Sequence, residues 1–103
     1  MGLFDMFSNK NKENEIKTYL DKGALILDVR TLEEWNEGHS KGAKNIVLTT
    51  IPLNLDEIKS WGKPIITVCR SGGRSGQAAQ FLANNGVDVI NGGPWQNVDQ
   101  YLK

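Results

Sequence analysis

Short apolar runs and spaced apolar repeats alternate along this chain. Four runs are almost continuously apolar, at 25–29, 45–48, 65–68 and 87–90. Runs of this length, bounded by glycine, proline and polar residues, are typical of strands covered on both faces. These four segments are the strand candidates.

Between the runs, apolar residues recur with helical spacing. The helix candidates are 13–22, 31–37, 54–61, 77–86 and 95–102, and 91–94 is interpreted as a turn. Thr31 and Glu34 have the spacing of a capping box, and Gly38 is a natural stop. Alternating strands and helices predict an α/β domain with a parallel sheet and helices on both faces. In such sheets, ligands bind beyond the carboxyl ends of the strands.

The first twelve residues are set apart as an N-terminal extension, and 13–103 as the domain. Segment 1–7 is apolar but too short for the core of a signal peptide. We expect it to be a helical turn docked on the domain or a loose terminus. Segment 8–14 is polar and is interpreted as a linker.

Composition restricts the possible partners. The chain has 103 residues, 12 basic and 12 acidic, and a formal net charge of zero. This balance argues against nucleic acid or an acidic membrane surface as the main partner. No stretch approaches the roughly 20 apolar residues of a membrane span. Cys69 and His39 are the only residues of their types, so neither an internal disulfide nor a metal cluster is expected. We expect a cytoplasmic location, where a lone cysteine serves packing or chemistry.

Cys69 falls where a predicted strand ends and a predicted helix begins. The loop that follows it consists of small, polar and basic residues, namely Arg70, Ser71, Gly72, Gly73, Arg74 and Ser75. Backbone N–H groups in such a junction can turn inward as an anion cradle, and a thiolate is an anion. A helix N-terminus and nearby arginines also lower the pKa of a thiol. An isolated cysteine at a strand end is often only a small buried hydrophobe, but this neighbourhood favours a nucleophile.

Arg74 offers a planar fork to an oxyanion, and the loop N–H groups can hold the substrate beside Cys69. Cysteine phosphatases have five residues between cysteine and arginine, whereas four residues separate Cys69 from Arg74. The shorter loop predicts a tighter cradle, suited to one sulfur rather than to a phosphate. A phosphatase or arsenate reductase site is therefore a weaker interpretation of this loop than a site that holds a single sulfur.

Other polar and aromatic residues are assigned to the scaffold. Asp28 and Arg30 are expected to form an ion pair that supports the strand end. His39 is interpreted as a hydrogen-bonding packing residue rather than a general base. Trp95 belongs to the core or to the rim of the site.

The ordered set of motifs resembles the rhodanese-like single-domain sulfurtransferases over about residues 16–102. The matching motifs are Leu27-Asp28-Val29-Arg30, Glu33-Glu34-Trp35, Glu37-Gly38-His39, Gly42-Ala43-Lys44-Asn45-Ile46, Cys69-Arg70-Ser71-Gly72-Gly73-Arg74-Ser75 and Gly92-Gly93. Ser40 departs from the pattern, since isoleucine often stands there.

The resemblance implies a three-layer fold around a parallel sheet of about five strands. It implies a Cys69 persulfide that carries sulfane sulfur from an anionic donor such as thiosulfate to a thiol, a thioredoxin-like protein or cyanide. It implies no cofactor and assigns substrate binding to the loop from Arg70 to Ser75, with Asp28 and Arg30 as support. The alternative within the family is a module without catalysis that binds or regulates.

Overall fold

The computed structural model describes residues 2–102, with side chains from residue 11 onward. The elements in chain order are α1 (Gly2–Asp21), β1 (Leu25–Asp28), α2 (Leu32–Glu37), β2 (Lys44–Asn45), two 3₁₀ turns (Leu48–Thr50 and Pro52–Asn54), α3 (Leu55–Ser60), β3 (Ile65–Cys69), α4 (Gly73–Asn84), β4 (Val89–Pro94) and α5 (Trp95–Asp99). No helix among residues 2–102 is both long and apolar enough to cross a membrane.

The strands form one parallel sheet in the order β2-β1-β3-β4. Helices cover both faces of the sheet, and the buried apolar residues accordingly form two clusters, one on each face. One cluster joins Leu27 and Ile65 to Ile58 of α3 and Leu82 of α4. The other joins residues of the opposite sheet face to Ile16 of α1 and Val98 of α5. The α/β class and the two-sided cover are as predicted.

The count of about five strands is wrong, since the sheet within residues 2–102 has four. The second predicted strand is also shorter than expected. Only Lys44 and Asn45 pair with β1, after which the Ile46 N–H group donates to Asp28 O, the last carbonyl of β1, and the Leu48 N–H group donates to Val29 O just beyond it. The chain then tightens into the two 3₁₀ turns, and Pro52 starts the second of them. Proline supplies no N–H group, so it ends a ladder rather than extending it.

Two other predicted segments differ in the structure. The linker at 8–14 lies inside α1, which runs unbroken from Gly2 to Asp21. Its composition of lysine, asparagine and glutamate is polar but contains no helix breaker until Gly23. Met1 and the side chains of 2–10 lie outside the described residues, so the docking expected for segment 1–7 stays a prediction. The closing helix stops at Asp99 instead of reaching residue 102.

The turn predicted at 91–94 is instead the second half of β4, and it carries a bulge. Thr67 pairs with Asn91 whereas Val68 pairs with Gly93, so Gly92 has no residue opposite it. A Cβ on Gly92 would lie 2.6 Å from the Ile66 side chain and 2.8 Å from that of Val98. Glycine is therefore required here by close packing. Glycine pairs suggest a turn on composition alone, but a bulge also needs them.

Candidate active site

Cys69 is the last residue of β3, the strand with a neighbour on each side at the centre of the sheet. It is fully buried, and it packs in the same apolar cluster as Leu27 and Leu82. The chain then turns through Arg70, Ser71 and Gly72 before α4 begins at Gly73. Gly72 has φ of +104°, a conformation that side chains disfavour, whereas Gly73 has no positive φ. The cysteine therefore lies at the carboxyl edge of the sheet and faces a helix N-terminus.

Backbone N–H groups converge on the Cys69 sulfur. Gly72 N donates to Sγ at 3.0 Å and Ser75 N at 3.3 Å, while the thiol itself lies 3.2 Å from Ser75 Oγ. Burial raises the pKa of the Cys69 thiol. The hydrogen bonds from Ser75, Gly72 and Ser71 together lower the pKa by more than burial raises it, so the pKa lies below its ordinary value. These groups solvate a negative sulfur better than a neutral one. The cradle geometry thus favours a thiolate.

Asn91, which none of the sequence motifs singles out, closes the cradle from β4. Its Oδ1 accepts from Ser75 Oγ at 2.6 Å and from Gly93 N at 2.9 Å. Its Nδ2 donates to Gly72 O at 3.2 Å. The signal was present, because Asn91 is the one polar side chain of β4, whose other residues are apolar, glycine or proline. Interpreting 91–94 as a turn hid that position.

The guanidinium fork of Arg74 points at Glu34 of α2. Arg74 Nη1 donates to Glu34 Oε1 at 2.7 Å, and Nη2 donates to Oε2 at 2.9 Å. The hydrogen bonds from Arg74, then those from Thr31, lower the pKa of Glu34 to about 2. The capping box was expected, but its carboxylate was not expected to serve α4 as well. An anionic donor at Arg74 would have to compete with Glu34.

Arg70 is the loop cation that remains exposed, and it forms no ion pair within residues 11–102. It lines a hollow of about 210 Å³ together with Glu34, Trp95 and Gln96. Trp95 therefore lies beside Arg70, at the edge of the sheet where Cys69 ends β3. A larger hollow of about 480 Å³ opens at the other end of the sheet, beside Lys63 and Asn85, and no predicted site residue lines it.

Asp28 and Arg30 form a buried ion pair at the carboxyl end of β1. Arg30 Nε lies 2.9 Å from Asp28 Oδ1, and Nη2 lies 2.7 Å from Oδ2. Nη2 also donates to Gly38 O at 2.7 Å, which anchors the segment after α2. All of these groups satisfy one another, so the pair fixes the loop around the site and leaves little capacity for a ligand.

His39 contacts Trp35 of α2 through both its ring face and one ring nitrogen. Its ring stacks on Trp35 with centroids 3.5 Å apart, and Nδ1 lies 2.8 Å from the Trp35 carbonyl oxygen. The contacts are those of a packing and hydrogen-bonding residue. None of them reaches the cysteine loop.

Comparisons with known proteins agree on one family. The model of the Rhodanese-like domain matches residues 12–94. A Bacillus subtilis protein, the uncharacterized YqhL, is 40% identical over 76% of this chain and 60% of its own length. A protein named Sulfurtransferase from Allochromatium vinosum is 34% identical over 64% of this chain and 61% of its own length. The chain thus spans about three fifths of these curated relatives.

Solved structures place the fold in the same group. SSP1007 from Staphylococcus saprophyticus superposes with a TM-score of 0.68 at 30% identity, covering 84% of this chain and 91% of that one. A rhodanese-like domain protein from Staphylococcus aureus gives 0.65 at 33% identity, covering 84% and 86%.

Proposed function

The chain belongs to the rhodanese-like domain family, and from that premise we propose that it is a sulfurtransferase whose Cys69 carries the sulfur as a persulfide. The observation that supports the proposal most is the cradle around Sγ, in which N–H groups of Gly72 and Ser75 lie at 3.0 and 3.3 Å. A buried sulfur that is surrounded by donors is prepared for negative charge. The relative named Sulfurtransferase supports the same reaction class.

In the first half-reaction, the Cys69 thiolate attacks the outer sulfur of a donor such as thiosulfate. The sulfur–sulfur bond of the donor breaks, and sulfite leaves with the bonding electron pair. The product is an anionic persulfide on Cys69, and charge balances without a proton. The N–H groups of the loop stabilise the terminal sulfur, and four residues between Cys69 and Arg74 enclose a space suited to one atom.

In the second half-reaction, a thiolate or cyanide attacks the terminal sulfur. The bond to Sγ breaks, and Sγ leaves with the electron pair as the thiolate, which the same cradle receives. The enzyme alternates between two forms, so the kinetics should be ping-pong. Exposed Arg70 is the first cation that an approaching anion meets. Arg74 becomes available to the anion when its guanidinium group leaves Glu34. These steps use neither a metal nor an organic cofactor.

The test is sulfur transfer from thiosulfate to cyanide or to a dithiol, followed as thiocyanate or sulfide release. We expect turnover by the parent chain and none above background by Cys69→Ala. Hydrolysis of an aryl phosphate is measured in parallel and is expected to be negligible. Transfer by Cys69→Ala at the parent rate would overturn the proposal. Phosphate hydrolysis that requires Cys69, without sulfur transfer, would favour the phosphatase alternative.

A further inference from the structure

The Ser75 hydroxyl has one hydrogen and several groups that could take it. Its oxygen is fully buried and lies 2.6 Å from Asn91 Oδ1, 3.2 Å from Gly72 O and 3.2 Å from Cys69 Sγ. A hydroxyl can donate once and accept twice. Gly72 O already accepts from Gly76 N at 2.9 Å and from Asn91 Nδ2 at 3.2 Å. The shortest contact, to Asn91, therefore takes the hydrogen when Cys69 is a thiol.

Two backbone partners fix the orientation of the Asn91 amide. Gly93 N–H requires an oxygen opposite it, and the Gly72 carbonyl requires a donor. Rotating the amide by half a turn would place its NH₂ group against the Gly93 N–H group and its oxygen against the Gly72 carbonyl oxygen, which loses both hydrogen bonds. The β4 bulge at Gly92 places both partners within reach of one side chain. Asn91 Oδ1 is therefore held facing Ser75.

We infer that Asn91 is a positioning residue that competes with the Cys69 thiolate for the single Ser75 hydrogen. In the thiol form, Cys69 donates to Ser75 Oγ, which donates to Asn91. In the thiolate form, the sulfur has lost its hydrogen and the hydroxyl turns to it, while Asn91 Oδ1 keeps the Gly93 N–H group. Two backbone donors and one hydroxyl then hold the sulfur.

The part that Asn91 plays in sulfur transfer rests on the proposed function. Once the persulfide has formed, Sγ is neutral, so the hydroxyl returns to Asn91 and the backbone donors serve the terminal sulfur. When the acceptor breaks the persulfide, Sγ leaves as a thiolate and takes the hydroxyl again. The hydroxyl thus changes its hydrogen-bond acceptor once in each half-reaction. The strength of its bond to Asn91 contributes to the free energy of each change.

Several charged groups surround Cys69 and bear on any titration of its thiol. They are Arg70 and Arg74 on its own loop, Glu34 on α2, the Asp28–Arg30 pair beside β1, and Lys12 of α1, whose Nζ donates to Asn91 O at 2.8 Å. All of these groups are unchanged by Asn91→Ala, so a shift in that variant reports on the amide itself, whereas Asn91→Asp also adds a charge that the Ser75→Ala background measures separately.

The test is the pH profile of Cys69 alkylation by iodoacetamide in two Asn91 variants. Asn91→Ala removes the competing oxygen, so alkylation on the acid side of the midpoint should become about fivefold faster, the factor of one ordinary hydrogen bond. Asn91→Asp keeps the shape and the Gly93 contact, although it loses the donor to Gly72 O. Its carboxylate holds the Ser75 hydrogen more strongly, so alkylation should become slower by a similar factor. Loosening of the cradle alone would move both variants in the same direction.

Ser75→Ala provides the second arm, because without the hydroxyl there is nothing to compete for. In that background Asn91→Ala should leave the profile unchanged, and Asn91→Asp should retain only the effect of its charge. Asn84→Ala, on the exposed end of α4, is the matched control. Shifts of the same sign in both Asn91 variants, or an undiminished Asn91→Ala effect without Ser75, would overturn the inference. Alkylation needs no sulfur donor, so a failure of sulfur transfer would be seen separately.

Discussion

The pair formed by Glu34 and Arg74 gives the sharpest prediction about stability. Glu34 joins two helices, since it completes the N-terminal cap of α2 with Thr31 and binds the first turn of α4 through Arg74. Glu34→Gln removes the negative charge and retains a carbonyl oxygen of the same reach. The perturbation therefore tests the ion pair rather than packing.

The expected size follows from the pKa of Glu34, which falls from an ordinary 4.5 to about 2. At 1.36 kcal/mol per unit, this corresponds to roughly 3 kcal/mol at most. The Arg74 side chain is 35% exposed and that of Glu34 18%, so solvent screens the pair. We expect a loss of about 1–2 kcal/mol at pH 7, or about 5–10 °C in Tm.

The pH dependence has a definite sign. A carboxyl whose folded pKa lies below its unfolded value stabilises the fold above the unfolded pKa, and this contribution is lost as pH falls from about 4.5 towards about 2. The difference between parent and Glu34→Gln should therefore narrow between pH 5 and pH 3. Urea denaturation at pH 7, 5, 4 and 3 measures it.

Glu33→Gln is the matched control, because Glu33 is exposed in the same helical turn. It removes the same charge from the helix N-terminus, which is worth only a few tenths of a kcal/mol. Equal stability of the two variants at pH 7, or a difference that stays constant down to pH 3, would refute the reasoning.

Three further predictions concern packing, a buried hydroxyl and the donor site. Gly92→Ala should cost about 1–3 kcal/mol in urea denaturation because its Cβ has no room, whereas Gly73→Ala, with nothing within 4 Å, should cost far less; equal losses would contradict the packing. Ser40→Ala should cost nothing or stabilise the fold by about 1 kcal/mol, since the buried Ser40 Oγ has no partner among the described residues; Thr67→Val, which removes a bonded hydroxyl, should destabilise it, and the reverse order would count against this explanation. Arg74→Ala should raise the KM for thiosulfate several-fold if the fork binds the donor, and an unchanged KM would remove Arg74 from that role.

The sequence was sufficient for features with short-range signals. Apolar runs and spacing predicted the order of the strands and α-helices, and the capping box of α2 is present as expected. The position of Cys69 at a strand end followed from the same pattern. These features depend on residues close together in the chain, so the order of residue types is enough to predict them.

Features that depend on distant segments were beyond the same reasoning. Arg74 and Glu34 are 40 positions apart, and local reasoning had already assigned Glu34 to its own helix. Asn91 reaches Ser75 only because β4 lies beside β3 and bulges at Gly92. Composition suggested a turn there, since glycines in a bulge and in a turn look alike. Sheet register decides between them, and register is a property of the whole fold.

The central claim is that Cys69 carries transferable sulfur, and intact-protein mass spectrometry tests it most directly. After incubation with thiosulfate and removal of the excess, the parent chain should gain the mass of one sulfur atom. The added sulfur should disappear on treatment with cyanide or a dithiol, and Cys69→Ala should never acquire it. An unmodified parent chain under conditions in which Cys69 is alkylated readily, or the same gain of mass in Cys69→Ala, would contradict the account.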